Sequence, residues 1–141
     1  MSLAIYFHAF FLSHFNLIAG NVGDNRFNIA LLEHWNAVAH GQAAFTSPNF
    51  FWPERGVLGY ADALFLFAPS YILARVAGMD VYLAFELTLI VFKAIGFFSM
   101  LWLLRYFVGV NRSVALTGAV VFTLSNLYEL GMFVGHAQLM A

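Results

Sequence analysis

The chain has 141 residues, 62% of them hydrophobic and 18% aromatic, with only 9% charged and a formal net charge of −1. Soluble domains carry about 25% charged residues, so this composition cannot supply a water-facing surface and points to an integral membrane protein covered largely by lipid. The charge balance argues against nucleic acid as a partner. With no cysteine there is neither a disulfide nor a thiolate metal site, and five histidines and seven carboxylates remain as candidate ligands.

A helix crossing the bilayer core takes about 20 mainly apolar residues. Four segments qualify, at 3–19, 57–77, 81–107 and 113–133. The expected fold is therefore all-α and integral to the membrane, a single membrane domain over 1–141 with four transmembrane helices. The first segment has no basic leader and no small-residue cleavage site, and it carries His8 and His14. It reads as a span rather than a signal peptide.

Next comes a polar and aromatic loop at 20–56, opening on Gly23-Asp24-Asn25-Arg26, where Asp24 or Asn25 is placed to cap a helix. Phe27, Leu31, Trp35 and Val38 then recur at helical spacing, with Glu33, Asn36 and His40 on the other side. This pattern predicts an amphipathic helix lying in the membrane interface. The stretch Phe45 to Pro53 contains two prolines and cannot be a regular helix; its aromatics suit the headgroup level.

The second span contains Pro69, the third is the strongest, and the fourth is weakened by Ser125, Asn126 and Glu129. The connections Gly78-Met79-Asp80 and Val108 to Arg112 are short, which makes neighbouring helices antiparallel. The end, Gly135-His136-Ala137-Gln138-Leu139-Met140-Ala141, reads as the start of a further helix, so the chain is expected to be the N-terminal portion of a longer protein.

Asp24 is the first candidate for chemistry. A carboxylate at the membrane surface can act as general base on an acceptor hydroxyl or hold a divalent cation; the plainer reading is a turn residue capping the next helix. Arg26 and Arg55 flank the loop and can bind phosphate oxygens in bidentate fashion, or simply anchor it at the interface. Glu33 and His40, seven residues apart, are too far apart for one metal ion, and His34 points away from both; they read as the helix's wet face. Lys93 lies near the middle of the third span with Glu86 two turns earlier on the same face. Ionisable groups at that depth face a bundle interior or a wet cavity. Lys93 either lines a cavity for an anionic headgroup or pairs with a carboxylate such as Asp62 or Glu129. Arg75, Arg105 and Asp62 lie near span ends, where such side chains snorkel. His136 is a candidate ligand or proton carrier, with a structural role as the alternative.

The ordered pieces Gly23-Asp24, Phe51-Trp52-Pro53 with Leu58-Gly59-Tyr60-Ala61-Asp62, Leu103-Leu104-Arg105, Ala115-Leu116-Thr117-Gly118-Ala119 and Gly135-His136-Ala137-Gln138 cover nearly the whole chain. In this order the sequence resembles the N-terminal part of bacterial multi-pass GT-C-type membrane glycosyltransferases, the YfhO-like group in particular. The resemblance implies a GT-C-like N-terminal module in the bacterial cytoplasmic membrane. Such enzymes take a sugar from a polyprenyl-phosphate donor within the membrane lipid and transfer it to an envelope acceptor at the outer face. By position, Asp24 is the implied catalytic acid residue. Positive charge near the leaving phosphate lowers the barrier, and Arg26, Arg55, Lys93 and His136 are the substrate-binding candidates; a divalent cation is the one cofactor considered. Family members have more spans than the four here. Two other readings stand beside this one: a transporter or flippase for a lipid-linked or anionic substrate, resting on Glu86 and Lys93, and a non-catalytic membrane scaffold. Orientation is contested, because the positive-inside rule places the long loop in the cytoplasm whereas the resemblance places it outside.

Overall fold

A computed structural model describes residues 4, 7–15, 22–60 and 63–125. These residues are all-helical, with no strand among them. In chain order they form α1 (His8–Leu12), α2 (Val22–Ala39), α3 (Ala68–Val76), α4 (Val81–Trp102) and α5 (Arg112–Ser125). Two 3-10 turns, Asn49–Phe51 and Val57–Tyr60, lie between α2 and α3, and α4 runs on as a π-helical segment, Leu103–Phe107. The chain divides into two compact units, one of Arg26–Thr88 and one of Met1–Asn25 with Leu89–Ala141.

The Arg26–Thr88 unit is organised on α2. Ile29, Leu31, Leu32 and Trp35 are buried at helical spacing, but Asn28 and His34 are buried as well, and the expected anchors Phe27 and Val38 are only half-buried. Burial thus covers more of the circumference than the single apolar stripe of a surface helix. The helix begins at Val22, so Asp24 and Asn25 lie within its first turn instead of capping it. It ends at Ala39, and Gly41, with a φ of 69°, supplies the left-handed residue of a Schellman motif. There Gly41 N–H donates to Val38 O at 3.0 Å and Gln42 N–H to Ala37 O at 2.8 Å.

The single helix expected over 57–77 does not form. Pro69 lies in the first turn of α3 instead of inside a longer helix. Its fixed φ and missing N–H suit a helix start and oppose a helix interior. At nine residues α3 falls well short of a crossing. Gly78, at φ 86°, ends it with the same motif, and the Asp80 carboxylate accepts from the Tyr82 and Leu83 N–H groups at 2.9 and 3.2 Å to open α4.

The other unit contains α1, the end of α4, the π segment and α5. The continuous helix expected over 3–19 is also interrupted: α1 stops at Leu12, because His14 and Phe15 both have left-handed φ values of 52° and 61°. By contrast, the third expected span matches its bounds. Val81–Phe107 is 27 residues long and apolar enough to cross a membrane by length and composition; at about 1.5 Å per residue it reaches roughly 40 Å. Asn111 opens α5 by accepting from Val114 N–H at 2.9 Å. α5 meets the π segment closely at Gly118, where a Cβ would lie 2.5 Å from Leu104 Cδ1. The part of the fourth expected span beyond Ser125 lies outside the described residues.

Candidate functional site

Asp24 is exposed in the first turn of α2, and Arg26 is exposed just past it. Two residues apart, they project to different sides of the helix. Arg55 is exposed in the loop, beside Gly56, whose N–H donates to Ser47 Oγ at 3.0 Å. Among the described residues none of Asp24, Arg26 and Arg55 makes an ion pair or a side-chain hydrogen bond, so their charges are available to a ligand. His136, Asp62 and Glu129 lie outside the described residues.

Glu33 is the first clear correction. It does not form a wet face with His40. Its Oε1 accepts from Tyr71 Oη at 2.7 Å and from Arg75 Nε at 2.7 Å. Arg75 also donates through Nη1 to Met79 O at 2.6 Å, holding the turn that follows α3, so it does not snorkel at a span end. The Tyr71 ring is fully buried at 0% exposure. Burial pushes its phenol well above the ordinary tyrosine value, and the hydrogen bond to Glu33 and that carboxylate's charge push it further, partly offset by Arg75. A tyrosine held this firmly protonated is a hydrogen-bond donor, not a base or nucleophile, so the cluster clamps α3 to α2. Tyr71 and Arg75, four apart on one helix, present donors on one face. That spacing was the sequence signal for this cluster.

A second fastening lies on α2's other positions. Trp35 Nε1 donates to Ala63 O, and its ring meets Phe45 and Phe65 edge-on at 5.0 and 5.2 Å. His34 Nε2 is 3.2 Å from Phe45 O, and His40 Nδ1 is 2.7 Å from Asn36 O. Both rings are engaged by backbone. Among the described residues no three His, Asp or Glu side chains gather as metal ligands.

Glu86 and Lys93 are both buried on α4, at 1% and 3% exposure. Seven residues along a helix is about 10 Å, too far for a direct pair. Both Glu86 carboxylate oxygens are buried without a hydrogen-bond partner among the described residues. A buried carboxyl left in this condition is costly, which marks the position as one that fold stability alone does not explain. Compared with family models, curated proteins and solved structures, the chain matches none of them.

Proposed function

We propose that the chain belongs to a multi-pass protein of the bacterial cytoplasmic membrane that works as a GT-C-like glycosyltransferase, moving a sugar from a polyprenyl-phosphate carrier to an envelope acceptor. Membrane insertion is supported by α4 and its π extension. Only 17% of its most apolar window is buried, and Phe98, Trp102, Tyr106 and Phe107 are 61%, 56%, 72% and 70% exposed. A core helix of a soluble protein hides such side chains; here lipid takes the place of that core. The single observation that carries the catalytic part is Asp24, a carboxylate exposed and unpaired among the described residues at the start of α2. In the reaction it takes the proton of the acceptor hydroxyl as that oxygen bonds to the anomeric carbon. The bond from that carbon to the phosphate oxygen breaks, and the carrier phosphate leaves. Arg26 and Arg55, exposed and without an ion pair among the described residues, supply positive charge for that phosphate. In membranes containing the protein, Asp24→Asn is expected to lower transfer from a panel of polyprenyl-phosphate sugars by about a hundredfold or more, the usual contribution of a general base. Unchanged transfer refutes the assignment.

A second reading, a transporter or flippase for an anionic or lipid-linked substrate, is favoured by Glu86 and Lys93, both buried on the one helix suited to crossing the bilayer. It expects Lys93→Ala to abolish transport into vesicles while Asp24→Ala leaves it intact, the reverse of the transferase pattern.

A further inference from the structure

Where the π segment meets α5 there is a cavity of about 590 Å³ with an unusual lining. Phe98, Trp102, Tyr106 and Leu116 form an apolar and aromatic wall, and Arg105 and Arg112 stand at it. Both arginines are exposed. Arg105 gives one donor, Nη1, to Val110 O at 3.2 Å, which leaves most of its guanidinium free. The Arg112 side chain makes no hydrogen bond or ion pair among the described residues. No carboxylate competes nearby in sequence, because the chain has no Asp or Glu from Leu87 to Tyr128.

We propose that this cavity binds one anionic phospholipid, its phosphate held by Arg105 and Arg112 and the top of an acyl chain laid along Phe98, Trp102 and Leu116. Three features of the structure support that occupant. The charge is complementary, since two guanidinium forks with no carboxylate beside them suit a phosphodiester. The cavity lies at the end of the 27-residue helix Val81–Phe107, and Trp102 and Tyr106 are the residue types that collect at headgroup level. The lining is apolar on one side and cationic on the other, as a lipid is apolar at one end and anionic at the other. The π-helical turn contributes as well. Val108 N–H reaches back to Leu103 O and Val110 N–H to Leu104 O, at 3.1 and 3.2 Å. This widened turn carries Arg105 and Tyr106, two of the lining residues, and such turns recur at functional sites. Gly118, by admitting Leu104, keeps α5 close to the turn and so keeps Arg112 beside Arg105's segment.

The inference rests on α4 as a membrane span, but not on the chemistry assigned to Asp24. Its test uses the full chain in a zwitterionic detergent. Brominated phosphatidylglycerol or brominated phosphatidylcholine is titrated in, and quenching of tryptophan fluorescence is read. Saturable quenching by phosphatidylglycerol is expected, at least tenfold tighter than by phosphatidylcholine. Arg112→Gln is expected to weaken it about tenfold, as loss of one charge-assisted contact does, and the double variant Arg105→Gln with Arg112→Gln to abolish it. Because Arg112 is exposed and its side chain makes no bond among the described residues, the single variant keeps the test valid if the double variant does not fold. Equal quenching by the two lipids, or an unchanged titration for Arg112→Gln, overturns the site. Competition by soluble glycerol phosphate at matching concentration also overturns it, because the site then takes free phosphate and not lipid. A chain that stays monodisperse without detergent and is quenched by neither lipid overturns the membrane reading itself, and the lipid site with it.

Discussion

Replacing Tyr71 by phenylalanine isolates one hydrogen bond and leaves the packing of α3 on α2 otherwise intact. The ring is completely buried, and its hydroxyl donates to Glu33 Oε1 at 2.7 Å. A hydrogen bond to a charged acceptor contributes about 1.5–3 kcal/mol. Glu33's side chain is 34% exposed, and it keeps Arg75 and water as partners in the variant, so the lower end applies, about 1.5 kcal/mol. The ion pair between Arg75 and Glu33, at 27% and 34% exposure, lies in a range where such pairs contribute about 0.2–1 kcal/mol. Tyr71, not the salt bridge, is therefore the stronger part of the clamp. Thermal unfolding of the purified chain in detergent, followed by circular dichroism, is expected to show Tyr71→Phe melting about 5 °C lower. A double-mutant cycle with Glu33→Gln should return a coupling of about 1 kcal/mol. The pH dependence adds a second check with a definite sign. The folded phenol ionises above its unfolded value of about 10. The folded state then retains the proton longer, so the stability it confers is complete below that pH and declines as pH rises past it. The decline is about 1.4 kcal/mol per pH unit, so the wild-type advantage over Tyr71→Phe shrinks above pH 10. A variant within about 0.5 kcal/mol of wild type, with no coupling to Glu33, refutes the clamp.

Three further outcomes follow from the same geometry. Trp35→Phe keeps an aromatic ring between Phe45 and Phe65 but removes the donor to Ala63 O; a loss of about 2 kcal/mol is expected in denaturant titration, and protease cleavage should rise first between Ala43 and Tyr60. Gly78→Ala meets no atom within 4 Å, so its cost comes only from the backbone held at φ 86°; about 1 kcal/mol is expected from thermal unfolding. Asp80→Ala removes the carboxylate that accepts from Tyr82 and Leu83 N–H; a loss of about 1 kcal/mol is expected, with faster amide exchange confined to the first turn of α4.

What was legible in the sequence follows from which forces act locally. The bounds of 81–107 needed only a continuous apolar run, and Val81–Phe107 has them. The connection Gly78-Met79-Asp80 was readable because glycine and aspartate fix a helix end and a helix start by their own chemistry. The spans at 3–19 and 57–77 misled because apolarity alone does not report backbone angles. His14 and Phe15 turn left-handed where nothing in their side chains requires it. Pro69 was read as lying inside the second span, whereas its ring and missing N–H put it at a helix start. Glu33 looked solvated because its partners lie 38 and 42 residues away, where periodicity has no reach. Of the candidate site, Asp24, Arg26 and Arg55 were found by residue type and are exposed, whereas nothing in the sequence marked the cavity beside Arg105 and Arg112.

The loss of a crossing at 57–77 bears on orientation. With a span there, the loop at 20–56 and the turn at 108–112 share one side. The arginines at both then set the positive-inside rule against a catalytic loop at the outer face. A nine-residue α3 cannot cross, and α2, with Asp24, Arg26 and Glu33 in its 18 residues, is too polar to cross. On the reading of α4 as a span, the loop then belongs with the Asp80 end of that helix and the Arg105 and Arg112 turn with the other end. Counted close to that helix, Arg105 and Arg112 at one end outnumber Arg75 at the other, which positive-inside reads as the turn facing the cytoplasm; Arg26 and Arg55, further back in the loop, weigh the other way, and the transferase reading needs Asp24 and the loop outside. Reporters that discriminate the two sides, inserted between Thr46 and Phe50 and between Val108 and Arg112, are expected to give opposite answers, the first outside and the second inside. If both report the same side, an even number of crossings separates the loop from the turn, and the conflict between charge and chemistry returns.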